Sequence, residues 1–299
     1  MTLRDRLLAL LVVVIWGMNF VVIKYGLQGV PPFLLAGLRF LLVGVPAIFF
    51  IPRPKLPWTW LVYYGLTMSF GQFALLFLAI KLGMPAGLAS LVIQAQVFFT
   101  LLLGMVLMGD KLRVNHLAGI AVACAGMLLL ALASLRHQLG ALAGLLLTLG
   151  AAFSWALGNM ANKKIMATFP QQGILPLVVW SALIPVLPFL ACSWLFDDRL
   201  QVVASLVHPQ LSSVLVVLYL AFAATQFGYS VWGNLLARYE TWRVAPLALL
   251  VPLVGLIGAW VIVGEALSAL QAAGALLVLC GMAVNMFGLP RWRQLGKRA

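Results

Sequence analysis

The sequence predicts an all-α membrane protein with ten transmembrane helices in two inverted five-helix repeats and both termini in the cytoplasm. Three observations predict this fold: long apolar runs, a one-sided distribution of basic residues, and a motif that recurs in both halves. Of the 299 residues, 64% are apolar and 8% are charged, against roughly 45–50% and about 25% in soluble domains. Because so few charges cannot cover a soluble surface of this size, soluble folds are excluded.

Apolar runs of the length needed to cross a bilayer recur along the whole chain. A bilayer core of about 30 Å takes roughly 20 apolar residues in a helix. The predicted spans cover residues 7–24, 32–51, 59–80, 86–108, 114–134, 141–162, 174–195, 211–235, 243–263 and 268–288. The first run continues to Lys24 without a cleavage site of small residues, so we interpret it as a span and not as a signal peptide. The longest linker is 196–210.

The basic residues predict the orientation, because Lys and Arg in short loops favour the cytoplasm. With the N-terminus inside, fourteen of the nineteen lie on the cytoplasmic side: Arg4, Arg6, Arg53, Lys55, Lys111, Arg113, Lys163, Lys164, Arg238, Arg243, Arg291, Arg293, Lys297 and Arg298. The external side holds Lys24, Lys81, Arg136 and Arg199, and Arg39 lies within a span. Since the basic residues are dispersed over separate loops, the net charge of +13 does not indicate a nucleic-acid partner.

A motif repeats between the halves at an offset of 155 residues. Gly109-Asp110-Lys111-Leu112 aligns with Gly264-Glu265-Ala266-Leu267, and the glycines Gly119 and Gly126 align with Gly274 and Gly281. Five spans per half place the second half upside down, and the basic residues of the first motif are lost in the second. The sequence therefore predicts repeats at 1–137 and 138–299, an arrangement typical of transporters. Helix packing alone is an alternative explanation for the glycines.

Several motifs resemble one transporter family over nearly the whole chain. They are Trp16-x-x-Asn19-Phe20 with Lys24, Pro31 and Arg39; Gln94 to Thr100; Ser154-Trp155-Ala156 with Gly158-Asn159; Asn162 to Met166; and Tyr239 to Leu247. With the Gly-[Asp/Glu]-x-Leu motif, they resemble the EamA-type branch of the drug/metabolite transporter superfamily, and within it bacterial exporters of cysteine and O-acetylserine or of aromatic amino acids. The resemblance implies the same ten-helix inverted repeat. Many relatives have a proline in the fourth helix equivalent to Pro252, whereas this chain has Val97.

Polar side chains within the spans mark the helices that surround a cavity, because polar groups facing lipid are costly. Residues three or four positions apart share a helix face, and several spans carry such polar and aromatic faces. The predicted cavity residues are Trp16, Asn19, Gln72, Gln94, Gln96, Trp155, Asn159, Gln226 and Tyr229. For each amide, a helix–helix hydrogen bond is an equal alternative. Gln94 and Gln96 lie two positions apart, so at most one faces the cavity directly.

The charged residues define what this cavity lacks. All six acidic residues, Asp5, Asp110, Asp197, Asp198, Glu240 and Glu265, fall at span ends or in loops. We therefore expect no catalytic residue, no metal site and no cofactor.

Three further residues have an expected role. A structural role is favoured for Arg39 over substrate contact by the family resemblance, and Lys24 is interpreted as a topology residue. Pro252, near the middle of the ninth span, is the predicted hinge, because proline removes a helical hydrogen bond.

The predicted function is export of small neutral or zwitterionic metabolites, most of all amino acids, across the bacterial inner membrane by alternating access. The repeat indicates a transporter, and the resemblance implies export and amino acids. A broad multidrug or other-metabolite carrier is the alternative, and an intramembrane enzyme, a channel and a receptor are remote. Uniport and proton antiport both stay open. The expected partners are a small-molecule substrate and membrane lipid, and the chain is a monomer or a dimer.

Overall fold

A computed structural model of the chain describes residues 1–109, 114–137, 139–239 and 244–287. Within these ranges the regular structure is helical, and they contain no strand. Parts of the sequence motifs, Asp110-Lys111-Leu112 and Glu240 to Arg243, lie outside the described residues, as do the basic residues from Arg291 onward.

The first half contains five helices. They are α1 (Leu3–Gly29), α2 (Pro32–Ala47), α3 (Trp58–Lys81), α4 (Ala86–Met108) and α5 (Val114–His137). The side chain of Thr2 caps the start of α1 by accepting the backbone N–H of Asp5 at 3.2 Å, as short hydroxyl residues do at N-caps. A proline at the first position starts α2, where its fixed φ suits a helix and its missing N–H costs nothing.

The second half contains five further helices and one short connecting helix. They are α6 (Leu139–Thr168), α7 (Ile174–Phe196), the short helix Arg199–Val207, α8 (Leu211–Leu218, the π-helical Tyr219–Phe227 and Gly228–Arg238), α9 (the 3₁₀ turn Ala245–Leu249, Leu250–Gly258 and the π-helical Ala259–Val263) and α10 (Ala269–Phe287). The short helix lies in the predicted 196–210 linker. Asp198 caps it by accepting the N–H of Leu200 at 2.9 Å.

The apolar helices coincide in position with the ten predicted spans. Among the described residues, eight helices are long and apolar enough to cross a bilayer, and the apolar helices Pro32–Ala47 and Leu247–Val263 are shorter. The protein is therefore a multi-pass membrane protein with an all-helical fold. Crossing by all ten helices, and the side on which each terminus lies, stay predictions.

Irregular backbone recurs at matching places in the two halves. The π-helical stretch Gly65–Gly71 in α3 matches Tyr219–Phe227 in α8, and the 3₁₀ turn Ile93–Ala95 in α4 matches Ala245–Leu249 in α9. Both α4 and α9 end at a left-handed glycine, where the usual steric barrier to positive φ is absent. These glycines are Gly109 (φ 69°, ψ 21°) and Gly264 (φ 73°, ψ 20°). The matches follow the 155-residue offset of the sequence motif, whereas the division at 137/138 stays a prediction.

The repeated glycines of α5 and α10 bring these two helices into backbone contact. A Cβ on Gly119 would lie 2.6 Å from the carbonyl oxygen of Gly281, and one on Gly126 would lie 2.7 Å from that of Gly274. Each contact is reciprocal, so any side chain at these positions would collide with the opposite backbone. Small residues allow such close approach between helices in a membrane. In this chain the glycines thus allow close packing between α5 and α10.

Candidate functional site

The π-helical part of α8 provides polar groups to its neighbours. In such a stretch the backbone hydrogen bonds run over five residues instead of four, and the hydroxyl of Thr225 likewise donates to the carbonyl of Leu220 at 2.8 Å. The carbonyl of Ala224, one residue earlier, accepts the indole N–H of Trp16 from α1 at 2.9 Å. The irregular backbone of Tyr219–Phe227 therefore attaches α8 to α1 and turns the Thr225 hydroxyl toward α2.

Arg39 of α2 binds this hydroxyl. Its Nε and Nη2 donate to Oγ1 of Thr225 at 3.1 and 2.9 Å, and its guanidinium lies 4.2 Å from the ring centre of Phe73 and 5.5 Å from that of Phe40. The side chain is only 2% exposed, yet Nη1 has no hydrogen-bond partner. In the described part of the chain, no acidic side chain pairs with Arg39. Among the described residues, Arg39 is thus a buried cation without an acidic partner.

A small cavity adjoins Arg39 between α2, α3, α7 and α8. Its lining residues are Arg39, Phe40, Tyr64, Met68, Ser69, Phe73, Val178, Ser181, Ala182, Thr225 and Tyr229. The cavity volume is about 20 Å³, which is room for roughly one water molecule. In this conformation the cavity is too small for an amino acid.

Trp16, Tyr229 and Gln226 lie beside this cavity on α1 and α8. The ring of Trp16 packs against those of Tyr229 and Trp232, with centroids 5.6 and 5.3 Å apart. The side-chain amide of Gln226 donates to the carbonyl of Val43 in α2 at 3.2 Å. Of these residues, Tyr229 lines the cavity itself, and the other two connect α8 to the adjacent helices.

A second polar cluster connects α4 and α6. The amide of Asn159 donates to Oε1 of Gln96 at 2.8 Å and to the hydroxyl of Thr100 at 3.1 Å. Gln94 points elsewhere, because its Nε2 lies 3.5 Å from the carbonyl of Ala248 in α9. The two glutamines face different helices, as their spacing predicts.

The remaining predicted cavity residues differ in their surroundings. Asn19 and Gln72 are buried, and Oδ1 of the first and Oε1 of the second have no hydrogen-bond partner. Trp155 is partly buried and packs against the hydrophobic core. Asn19 and Gln72 thus keep open acceptors within the bundle.

Pro252 lies in a closely packed part of α9. Its carbonyl accepts the hydroxyl of Ser90 in α4 at 3.4 Å, and the proline itself is buried. One residue away, the carbonyl of Val251 approaches α1 so closely that a Cβ on Gly17 would lie 2.8 Å from it. The predicted hinge position is therefore held between α1 and α4 in this conformation.

One end of α1 is closed by a carboxylate that serves three donors. Lys24 Nζ pairs with Glu265 Oε1 at 2.6 Å, and the backbone N–H groups of Ala86 and Gly87 donate to Oε1 and Oε2 of Glu265 at 2.9 and 3.1 Å. These N–H groups belong to the first turn of α4, where a negative charge is stabilising. We call this group the Lys24 end; it joins α1, α4 and the chain after α9.

The opposite end of α1 is closed by a different group. Arg238 Nη2 pairs with Asp5 Oδ1 at 2.9 Å, and the hydroxyls of Tyr239 and Thr2 donate to Oδ2 of Asp5 at 2.6 and 2.7 Å. This group, the Asp5 end, joins the start of α1 to the end of α8. Both ends of α1 are thus held to neighbouring helices, and the cavity between α2, α3, α7 and α8 has room for about one water.

Sequence reasoning did not single out several of the lining residues. Tyr64, Ser181 and Thr225 are unremarkable in an apolar run, and nothing in the sequence marks the π-helical turn that directs Thr225 toward Arg39. A signal for Arg39 was present, since a charge about eight residues into a span is costly unless it has polar neighbours.

The sequence matches a known protein family and two named relatives over nearly its whole length. The sequence profile of the EamA-like transporter family matches the chain twice, over residues 6–132 and 142–287. A protein of Salmonella typhimurium named "Probable amino-acid metabolite efflux pump" is 59% identical over 288 residues, 96% of each chain. A protein of Escherichia coli K12 with the same name is 55% identical over 297 residues, 99% of each chain.

A solved crystal structure has the same overall fold. It superimposes with a TM-score of 0.65 at 24% sequence identity, covering 95% of this chain and 98% of that one. The profile covers most of the described helices, and the two efflux pumps match nearly end to end. The chain belongs to the EamA-like transporter family.

Proposed function

We propose that the protein exports small neutral or zwitterionic metabolites, most of all amino acids, across the bacterial inner membrane by alternating access. The proposal includes ten transmembrane helices in two inverted repeats, 1–137 and 138–299, with both termini in the cytoplasm. It includes no catalytic activity. Two relatives that match nearly the whole chain carry names that state amino-acid metabolite efflux, which supports amino acids as the substrate class.

The observation that carries the mechanism is the small cavity beside Arg39. A space of about 20 Å³ lined by apolar side chains, Arg39 and several hydroxyl groups lies inside the bundle, and separate polar groups hold the Lys24 end and the Asp5 end together. An amino acid enters such a space only after helices separate at one end. A carrier that opens one end at a time provides this, and two structurally similar halves are suited to it.

Aromatic residues beside the cavity bear on the side chain of the substrate. The tilted ring contacts of Trp16 with Tyr229 and Trp232 offer aromatic surface on which an aromatic side chain can pack. The motif resemblance also favours cysteine and O-acetylserine. Both classes therefore belong in the screen that follows.

Counterflow in proteoliposomes tests the proposed function. Purified protein is reconstituted, vesicles are loaded with unlabelled tryptophan, phenylalanine or cysteine, and uptake of the labelled amino acid is followed. We expect transient accumulation above equilibrium for at least one of them, because only a carrier exchanges labelled for unlabelled solute. Equilibration without overshoot would indicate a channel, and chemical conversion of the label an enzyme. Counterflow of cationic dyes but of no amino acid would favour the multidrug alternative.

The proposed energy source is the substrate gradient itself. In the described residues near the cavity, the ionisable groups are Arg39, Tyr64 and Tyr229, none of which is a carboxylate or a histidine suited to proton relay near neutral pH. Transport into vesicles should therefore proceed at equal pH on both sides. A strict requirement for an imposed pH gradient would replace uniport with proton antiport.

Pro252 is proposed as the hinge of α9. Pro252→Ala restores the missing backbone donor and should straighten the helix, lowering turnover by about tenfold while substrate affinity changes less. Val97→Ala is the matched control, since it truncates the residue at the equivalent position of α4. Unchanged turnover in a well-expressed Pro252→Ala protein would refute the hinge.

A further inference from the structure

We propose that Arg39 binds the carboxylate of the transported solute through the Nη1 side of its guanidinium. The inference rests on the proposed function and specifies the substrate class of the same cavity: solutes with a free carboxylate, as opposed to their amides, esters or amines. It assigns to Arg39 a contact with the substrate in place of the structural role favoured by the sequence.

The hydrogen bonds of Arg39 leave one side of the group open. A guanidinium has five N–H donors in a fixed plane. Nε and Nη2 both donate to Thr225, whereas Nη1 is buried and has no partner. A buried charged donor without an acceptor is costly, so the open side is either solvated by the small cavity or used by a ligand.

The charge of Arg39 has no acidic partner in the part of the chain that the structure describes. The aromatic faces of Phe73 and Phe40 lie 4.2 and 5.5 Å from the guanidinium carbon and stabilise a cation through the ring quadrupole. No acidic residue lines the cavity, and within the described ranges none forms an ion pair with Arg39. One guanidinium balances one negative charge, which suits a carboxylate better than a phosphate dianion.

The cavity wall supports binding of a carboxylate and of the rest of an amino acid. Arginine forms two parallel hydrogen bonds with a carboxylate in a fork geometry. In Arg39 the Nε side is taken by Thr225, so Nη1 and the second N–H of Nη2 would provide these bonds. The hydroxyl-bearing residues Tyr64, Ser69, Ser181 and Tyr229 lie around the same space, so oxygen atoms are near for an ammonium group. Because the cavity has room for only about one water, the solute must enter in a more open conformation.

The test compares acids with their carboxamides. Phenylalanine, tryptophan and cysteine, and the carboxamide of each, compete with the labelled amino acid in counterflow. The wild-type protein should bind the acid about 10- to 100-fold more tightly than the carboxamide, since this is the effect of one or two hydrogen bonds to a charged group. Equal competition by acid and carboxamide would overturn the proposal without any variant.

Substitution of Arg39 sharpens the assignment. Arg39→Gln should lower the affinity for the acid by a similar factor and abolish the preference for the acid over the carboxamide. Arg39→Lys should keep part of this preference. Arg199→Gln is the matched control, because it removes one positive charge from an exposed side chain on the connecting helix and should leave the preference unchanged. A folded, monodisperse Arg39→Gln protein with the wild-type preference would contradict the assignment.

A binding measurement separates this inference from the proposed function. Ligands raise the melting temperature of a purified protein by mass action whether or not transport occurs. If the acids, but not the carboxamides, stabilise the wild type and fail to stabilise Arg39→Gln, the carboxylate site holds even where counterflow is absent. If amino acids show counterflow with no dependence on Arg39, the function holds and the site fails.

Discussion

The two ends of α1 are held to neighbouring helices by polar groups of different kinds. At the Lys24 end, the carboxylate of Glu265 satisfies the N-terminus of α4 as well as Lys24. At the Asp5 end, the carboxylate belongs to α1 and pairs with Arg238 at the end of α8. One end thus uses a helix terminus as its main partner, and the other uses side chains.

This difference predicts unequal strength. The backbone donors to Glu265 are fixed by the helix, so no donor side chain has to be ordered to form these two bonds. The carboxylates of both ends are mostly buried, 13% exposed for Glu265 and 6% for Asp5, but the cation Arg238 is 55% exposed against 34% for Lys24. Exposed ion pairs contribute little because water screens them. We therefore expect the Asp5 end to open more readily than the Lys24 end in the unloaded protein.

Two buried residues report on the ends separately. Ser90 lies one turn inside the Lys24 end on α4, and Ala9 lies one turn inside the Asp5 end on α1; both are 0% exposed. Ser90→Cys and Ala9→Cys are made in a chain whose native cysteines, Cys124, Cys192 and Cys280, are replaced by alanine. The labelling rate of each new thiol by a soluble maleimide in detergent then measures opening of its own end.

The largest effect is expected from Glu265→Gln at the Lys24 end. It removes the charge that holds both backbone donors of α4 and Lys24, and hydrogen bonds to a charged group are the stronger ones. Labelling of Ser90→Cys should rise about 10- to 100-fold, with no increase at Ala9→Cys. Glu265→Asp, which keeps the charge on a shorter side chain, is the control. Its labelling rate should lie between those of the unchanged chain and of Glu265→Gln. An unchanged rate at Ser90→Cys would show that this end is closed by apolar packing instead.

Asp5→Asn should open the other end by a smaller factor. The substitution weakens the contact with Arg238, but Tyr239 and Thr2 can still donate to the amide oxygen. Labelling of Ala9→Cys should rise about 5- to 10-fold, because the bonds from Tyr239 and Thr2 then go to a neutral oxygen, while the lost partner Arg238 is partly solvated. Asp198→Asn, at the cap of the connecting helix, serves as the control for loss of an acidic residue. The expected order of the two ends would be reversed if Asp5→Asn raised labelling of Ala9→Cys by more than Glu265→Gln raises labelling of Ser90→Cys.

These two ends also show how much of the structure the sequence predicted. The apolar runs predicted the positions of α1 to α10, since span length and hydropathy are local properties, but not the short helix Arg199–Val207 in the linker. The order of the predicted spans puts Lys24 and Glu265 on the same side, yet their pairing joins residues 241 positions apart. Such a contact depends on how α1, α4 and α9 pack, which no local pattern specifies. Lys24, interpreted as a topology residue, is in the structure one partner of Glu265.

The cavity was predicted less completely than the helices for a related reason. Tyr229 was found because an aromatic residue shares a helix face with an amide, and helical spacing is visible in sequence. Thr225 was not, because its direction depends on the π-helical turn of α8, which shifts the faces of the helix. Gln96 and Asn159, both predicted for the cavity, bond to each other across α4 and α6, the alternative that the sequence left equally open.

Lys24→Gln separates the two kinds of partner within one end. The helix contacts of Glu265 remain, and only the ion pair is lost, whose lysine side chain is 34% exposed. Labelling of Ser90→Cys should therefore rise only about 2- to 5-fold, as expected for a partly exposed pair. Lys81→Gln, on the same predicted side, controls for the loss of a lysine. A rise as large as that of Glu265→Gln would mean that the ion pair, and not the helix terminus, closes this end.

The smallest effect is expected from salt concentration, which should change the labelling rates at the two ends unequally. At about 1 M salt the screening length falls to about 3 Å, and exposed pairs are weakened more than buried ones. Raising the salt from about 0.1 M to about 1 M should increase labelling of Ala9→Cys about twofold through the Arg238 pair, while Ser90→Cys changes less. Equal changes at both reporters would remove the distinction between a closure built on a helix terminus and one built on side chains. Arg238→Gln should abolish the salt effect at Ala9→Cys, because the screened charge is then gone.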